Sequence, residues 1–511
     1  MRRHARLIIC ALAAYIALLL LLVAAEAQSG EASIRGFWDA VWFSIVTMTT
    51  VGYGDLSPVT PLGRVLGVIF ALCSIGILTA LIGVGLRLVG GELLPRLRLR
   101  FGRGRKWYVF GDDGEDAAAL ASALRERDGD CLLLFPEGQG GRVGGEKVIR
   151  ADFGPAEIKK LRGGTEGVRL FFVGPDGRKN YSEALAACGE GLSCSCMCGD
   201  APGRAPEELQ LFSPAEALSR SYWKEHPLLP GEERVLLIGC GETGSALLER
   251  ALLTNIFELP RRTEYHVFGD TALFAALHPE LVRALSGDRR DDDSLFLRGE
   301  DWTEARELIA AADRIIVCSD SDEENVRTCG LLRDWFVSSA KVHVRLSESV
   351  PGLVCFGARA SFMRPELVIR DELNRRARLM NDIYNEGSAS PRRWEELSPF
   401  LRQSNIAAAD HLIVKARCLL GDDGLTELDA ESCRAAAERW RALPEERRTR
   451  LLETEHRRWM RFHQMYNWSY SPERDNALRR HPLMLPFGEL GAEEQAKDAY
   501  AWEMLGRIAE K

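Results

Sequence analysis

Two long uncharged runs near the N-terminus, a strand–helix alternation that occurs twice after them, and a helical tail set the fold class the sequence predicts. That class is an α-helical membrane module of two spans and a re-entrant loop, followed by two α/β doubly wound units and a mainly α-helical C-terminal domain. The first run, Leu7 to Ala25, is apolar throughout apart from the amphipathic Tyr15, and the second, Val65 to Leu86, is bracketed by Arg64 and Arg87. Each is about as long as a bilayer core is thick when coiled as a helix. The 511 residues exceed one domain, and the part beyond residue 106 is long enough for several globular units.

Between the runs, Phe37 to Met48 is apolar but too short to span, which suits a re-entrant helix. It leads into Thr49-Thr50-Val51-Gly52-Tyr53-Gly54-Asp55. Thr50, Val51, Gly52, Tyr53 and Gly54 can turn successive carbonyls, with one hydroxyl, towards an axis where four copies replace the water around K⁺. Gly52 and Gly54 supply backbone angles that residues with a Cβ resist. This stretch, with Trp42-Phe43 before it and Leu56 to Arg64 after it, resembles the two-helix potassium channels over roughly residues 35 to 85. The resemblance implies a selectivity filter at residues 50–54, steadied by an indole hydrogen bond from Trp42 to Asp55. Val46 stands where some of these channels carry a glutamate, and Ser74 occupies the usual hinge-glycine position, so gating flexure is expected at Gly76 or Gly83.

The expected pore module is residues 1–90, with spans at 7–25 and 65–88 and the pore helix and filter at 37–55. The alternative for the N-terminus is a cleavable signal peptide, because Met1 to Arg6 is basic and Ala25-Glu26-Ala27 looks like a cleavage site. Basic residues before the first span and at Arg96, Arg98, Arg100, Arg103, Arg105 and Lys106, in a linker at 91–106, place both termini in the cytoplasm of a cell whose inner membrane the module crosses. The net charge of -8 argues against a nucleic-acid partner. Thirteen scattered cysteines suit a reducing compartment. Cys194, Cys196 and Cys198 alternate along one strand face, which fits core packing better than a looped metal site, so no metal is expected.

A first doubly wound domain is expected at 107–205, with strands at Trp107 to Phe110, Cys131 to Phe135 and Val168 to Val173. A linker-helix region at 206–232 leads to a second at 233–360, with strands Arg234 to Ile238, Tyr265 to Phe268, Arg314 to Cys318 and Lys341 to Arg345. Units of this kind after a pore resemble RCK (KTN, TrkA-N-like) domains. In the second copy, Gly239-Cys240-Gly241-Glu242-Thr243-Gly244 follows a strand and opens a helix, with Asp270 closing the next strand. Gly239, Gly241 and Gly244 would let a pyrophosphate approach the helix N-terminus while Asp270 accepts from ribose hydroxyls, the alternative being a vacant, architectural fold. In the first copy, Asp112, Asp113, Glu115 and Asp116 would repel a phosphate, leaving a structural role or a cation.

Beyond Glu366 the pattern is helical. Residues 366–445 could be a degenerate half of the module at 446–511, where Glu453 to Trp459, Asn467 to Asp475, His481 to Leu490 and Lys497-Asp498 resemble a RyR domain. His456, Trp459, Trp468, Tyr470, Arg474 and His481 combine aromatic faces with cationic groups, which suits a stacked base with its phosphates held, or else simply packs a small core. Glu453, Glu455, Arg457 and Arg458 read as a solvated helix face.

Joined, these parts predict a homotetrameric, ligand-gated, potassium-selective channel in the lipid bilayer and no enzyme: no catalytic residues stand beside the glycine turn. K⁺ is the permeant ion, and the gating ligand is NAD(H), an adenine nucleotide, an ADP-ribose-like molecule or a cyclic nucleotide. The alternatives are a non-conducting nucleotide-sensing membrane scaffold, and a membrane-depolarising defence effector triggered by a signalling nucleotide.

Overall fold

The computed structural model describes residues 2–88, 93–138, 141–199, 205–289, 291–336, 338–386, 388 and 390–511; the side chains of 2–12, 73–78, 80–81 and 84–88 fall outside that description. The chain divides into two compact units, 1–103 and 104–511. In the first, helix α1 (Arg2–Glu26) packs with α2 (Phe37–Met48) and α3 (Pro61–Leu88), and α4 (Leu94–Phe101) follows. Counting only the described residues, no helix is long and apolar enough to cross a membrane. The expected spans at 7–25 and 65–88, and part of the linker at 91–106, run into residues outside the description.

Leu19, Leu22, Ile34, Ala40, Leu66 and Phe70 form the core of this unit. Helix α2 starts where Asp39 reaches back to accept from the amides of Arg35 and Gly36, both at 2.9 Å, satisfying donors outside the helical ladder. Pro61 opens α3, where its fixed φ is pre-set and its missing N–H costs nothing. Glu26 is wholly buried at the end of α1. It accepts from the amides of Val59 and Thr60, each at 3.0 Å, and from the Thr60 hydroxyl at 2.6 Å, tying α1 to the loop that enters α3. Sequence reading placed Glu26 only within a small-residue stretch, because its partners lie more than thirty positions away.

The second unit contains two six-stranded, all-parallel sheets and a short two-stranded pair, Ser469–Tyr470 with Arg480–His481. Strands β1 (Trp107–Phe110), β2 (Leu132–Phe135), β3 (Val148–Arg150), β4 (Val168–Phe172), β5 (Ser193–Met197) and β6 (Leu209–Phe212) lie in the order β3-β2-β1-β4-β5-β6. Strands β7 (Arg234–Ile238), β8 (Glu264–Phe268), β9 (Ser294–Arg298), β10 (Arg314–Val317), β11 (Lys341–Arg345) and β12 (Val354–Phe356) repeat it as β9-β8-β7-β10-β11-β12. This is the doubly wound arrangement whose order reverses beside the first strand of each sheet, leaving a crevice at the strands' carboxyl ends. Cys194 and Cys196 are buried in β5, and burial pushes both thiols above their ordinary range.

After β12 the chain returns to the first sheet. Met363 and Val368 enter its core, and the Ser195 hydroxyl donates to the Val368 carbonyl at 2.9 Å. Arg359 pairs with Glu115 at 2.5 Å and Asp116 at 3.3 Å, while Arg150 pairs with Asp113 at 2.7 Å and Arg142 with Glu115 at 3.0 Å. The acidic turn of the first copy is thus neutralised by guanidinium groups from its own chain.

Helices Arg375–Asn385, Pro399–Leu420, Ala430–Arg441, Glu445–Met465 and Ala499–Ala509 build the C-terminal layer around Trp394, Leu412, Trp440 and Trp502. Here the expectation of a solvated face on Glu445–Met465 is corrected: Glu455, Arg457 and Arg458 are buried. Arg457 pairs with Asp292 at 2.8 Å, Arg461 with Asp292 and Asp293, and Lys415 with Glu455 at 2.7 Å. The charges are interior because their partners come from the turn just before β9 and from the helix Pro399–Leu420, as well as from the same helix.

Candidate functional site

The residues singled out from sequence lie in three places. In the loop after α2, Thr50, Gly52 and Gly54 have φ of 58°, 59° and 75°, so left-handed residues alternate with Val51 and Tyr53. Such alternation rotates successive peptide planes back into line and brings neighbouring carbonyls to one side of the strand. The two glycines take these angles without strain, while a β-branched threonine there is costly and persists only where its surroundings over-determine it. The amides of Val51 and Gly52 donate to the Val46 carbonyl at 3.1 and 3.3 Å, fastening the loop to the end of α2. The Trp42 indole donates to Asp55 at 2.9 Å, and its ring lies parallel to Tyr53 with centroids 6.1 Å apart. Val46 is buried behind the loop, and Gly76 and Gly83 both lie within α3.

In the second sheet, the turn from β7 into the helix Glu242–Thr254 brings Gly239, Gly241 and Gly244 to the crevice between β7 and β10. The amides of Glu242 and Thr243 at that helix start donate to Asp320, which follows β10, at 2.8 and 3.0 Å. Asp270 stands past the end of β8 and accepts from the Ala272 amide at 3.2 Å.

The third place is a cleft of about 600 Å³ in the C-terminal layer. His456, Trp459, Arg474 and His481 line it together, joined by Arg458, Lys497 and Asp498, with Tyr384 and Asn405 from the helices upstream. Trp468 and Tyr470 are not among the lining residues: Trp468 is packed on Phe400 at 5.8 Å, and Tyr470 is half exposed. His456 donates from Nε2 to the Leu485 carbonyl at 2.8 Å, which sets its tautomer and leaves Nδ1 3.5 Å from Asp498. Its ring stacks near Trp459, centroids 5.7 Å apart, and His481 meets that indole edge-on at 5.0 Å. His481 accepts at Nδ1 from the Leu483 amide, so Nε2 carries the proton, and burial, with the Arg474 charge nearby, lowers the ring's pKa.

The electrostatics of the cleft centre on Arg458. Its Nε and Nη2 engage Glu455 at 3.0 and 2.8 Å, while Nη1 is buried without a hydrogen-bond partner. Burial works to raise the Glu455 pKa, but Arg458 and Lys415 outweigh it and hold that carboxyl down at about 2. Asp498 moves the other way, raised by burial, and its Oδ2 also lacks a hydrogen-bond partner. The lining of one cleft thus holds both the buried Arg458 guanidinium and the Asp498 carboxyl, which lies beside His456. Sequence reading missed Arg458 as a site residue, since its i−3 neighbour Glu455 makes it look like half of a surface pair.

Residues 5–90 match a protein-family model described as an ion channel. A voltage-gated potassium channel of Aeropyrum pernix is 52% identical over 58 residues, which is 11% of this chain and 20% of that protein. The calcium-gated potassium channel TvoK of Thermoplasma volcanium is 46% identical over 48 residues, 9% of this chain and 14% of that protein. The chain thus spans a fifth or less of the length of these curated relatives. The crystal structure of GsuK bound to ADP covers 73% of this chain and 100% of its own, with 15% identity and a TM-score of 0.33. The N-terminal part therefore carries an ion-channel domain, and the curated relatives are potassium channels rather than enzymes.

Proposed function

We propose that four copies of this chain form a potassium-selective channel whose opening is set by a nucleotide-type ligand held in the cytoplasmic assembly of tandem RCK-like units and the RyR-like module. The observation that carries this reading is the loop at 50–54, whose alternate left-handed residues and Trp42–Asp55 tether suit a ring of carbonyls around a dehydrated ion. In this reading residues 7–25 and 65–88 span the bilayer and the re-entrant α2 delivers the filter. On a single chain Val65, Val68 and Leu72 present an exposed apolar face of α3, spaced as one helical stripe, which suits contact with neighbouring copies.

The C-terminal cleft is the seat we assign to the ligand. His456 and Trp459 offer faces for a base, and Arg474 and Lys497 offer donors for phosphate with the buried Arg458 charge behind them. Potassium flux into liposomes carrying the purified protein tests the channel, with ADP, NAD, ADP-ribose and cyclic AMP as probes. Flux that discriminates K⁺ from Na⁺ and responds to one of these probes is the expected result; no K⁺ flux with any of them overturns it in favour of a non-conducting scaffold.

A further inference from the structure

Doubly wound folds with a glycine-rich first turn hold a dinucleotide's pyrophosphate on the amides that open the following helix. In the second copy those amides are taken. Asp320 Oδ2 accepts from Glu242 N at 2.8 Å and Oδ1 from Thr243 N at 3.0 Å, so one carboxylate spans the two donors a phosphate would use. The glycines are explained by the same contact. A Cβ on Gly241 would lie 2.1 Å from Asp320 Oδ2, so glycine there admits the carboxylate. Gly239, at φ 112°, presses its backbone on Ser319, to whose amide a Cβ would come within 2.5 Å, and a Cβ on Gly244 would strike the Gly239 carbonyl at 2.0 Å. All three positions therefore serve the chain's packing on itself.

Asp320 is also held in place. The Ser319 amide donates to Asn325 at 2.9 Å, the Ser319 hydroxyl to Glu324 at 2.6 Å, and Arg345 bridges the Asp320 carbonyl at 3.1 Å and the Asp322 carboxylate at 2.8 Å. A nucleotide phosphate arriving here meets that carboxylate and Asp270, both close enough to the buried Cys240 thiol to help burial raise its pKa. The residues present do not fit a pyrophosphate.

We infer that Asp320 is an internal anion that closes the second copy's glycine turn to nucleoside diphosphates and dinucleotides, making it the specificity-determining residue of that crevice. The inference stands on the turn alone and holds whether or not the pore conducts. Its test is hydrogen exchange on the full-length protein in detergent, read at the peptide spanning the amides of Glu242 and Thr243, with ADP as the probe. To silence the C-terminal cleft, every protein compared carries Trp459→Ala and Arg474→Ala. With Asp320 present, millimolar ADP leaves exchange in this peptide unchanged. Asp320→Ala exposes the two amides, speeding their exchange about tenfold, and ADP then slows it again. Asp320→Ser, which keeps a turn-forming hydroxyl, replaces the alanine variant should that one fail to fold. Slowing by ADP with Asp320 in place, or none after its removal, overturns the inference; recovered protection is a gain that misfolding cannot imitate.

Discussion

Glu455 shows how one residue's charge state is set by partners remote in sequence. Its carboxyl is fully buried and held at about 2 against an ordinary value of 4.5 by Arg458 and Lys415. The unfolded chain therefore takes up this proton first as pH falls. The stabilising contribution is complete above about pH 4.5 and is lost as pH drops through the folded value, about 3 kcal/mol in all. Urea unfolding followed from neutral pH to about 3 should show this acid loss. Glu455→Gln should flatten that slope while lowering neutral stability by about 3–5 kcal/mol, because two buried cations lose their counter-charge. An unchanged acid slope in the variant would remove Glu455 as its source.

At the scale of elements, Gly63 and Glu26 make a joint that the sequence pattern does not announce. A Cβ at position 63 would lie 2.0 Å from Glu26 Oε1, 2.9 Å from Pro58 Cβ and 2.9 Å from Thr60 Oγ1, and that oxygen is fastened by hydrogen bonds. Gly63→Ala should lower the stability of unit 1–103 by about 1–3 kcal/mol, whereas alanine at the open Gly83 should cost under about 1 kcal/mol or nothing, both read as thermal midpoints in detergent. Equal midpoints for the two variants would refute the joint.

What sequence makes legible at this scale follows from pattern length. The inner strands β1, β2, β4, β7, β8, β10 and β11 read as buried runs, and the cysteine alternation marks β5. The outer strands do not: β3 and β12 have three residues each, and β9 is buried only at its first two residues and half-buried over the last three, after an acidic run. Nor does periodicity say which core an amphipathic segment joins, so the return of Met363 and Val368 to the first sheet could only be seen in three dimensions. The site divides likewise. Trp42, Asp55, Gly52 and Gly54 form a local motif, and His456, Trp459, Arg474 and His481 a regional one. Arg458 and Asp320 gain their roles from burial and from a neighbouring strand end, neither of which spacing records.

For the whole molecule, the proposed function requires four copies to convert ligand binding in unit 104–511 into a change at the loop 50–54. Shifting a pore from mostly shut to mostly open takes about 5.5 kcal/mol of differential binding, so four sites need supply only a little over 1 kcal/mol each. A stacked aromatic or a charge-assisted hydrogen bond is worth about 1–3 kcal/mol, which is one site's whole share. Trp459→Ala or Arg474→Ala alone should therefore abolish most of the nucleotide response of potassium flux, and not merely displace its midpoint, while ligand-independent flux and K⁺ over Na⁺ selectivity persist. Because Arg474 lines the cleft without belonging to the buried Glu455–Arg458–Lys415 group, Arg474→Ala should unfold within about 1 kcal/mol of the parent, while Trp459→Ala, which loses its packing on three histidines, should cost about 1–3 kcal/mol. Liposome flux against nucleotide concentration, with unfolding measured on the same preparations, separates lost sensing from lost structure. An undiminished nucleotide response in both variants would move the sensor out of the C-terminal cleft, and with Asp320 closing the second glycine turn it would leave the first doubly wound unit as the next place to look.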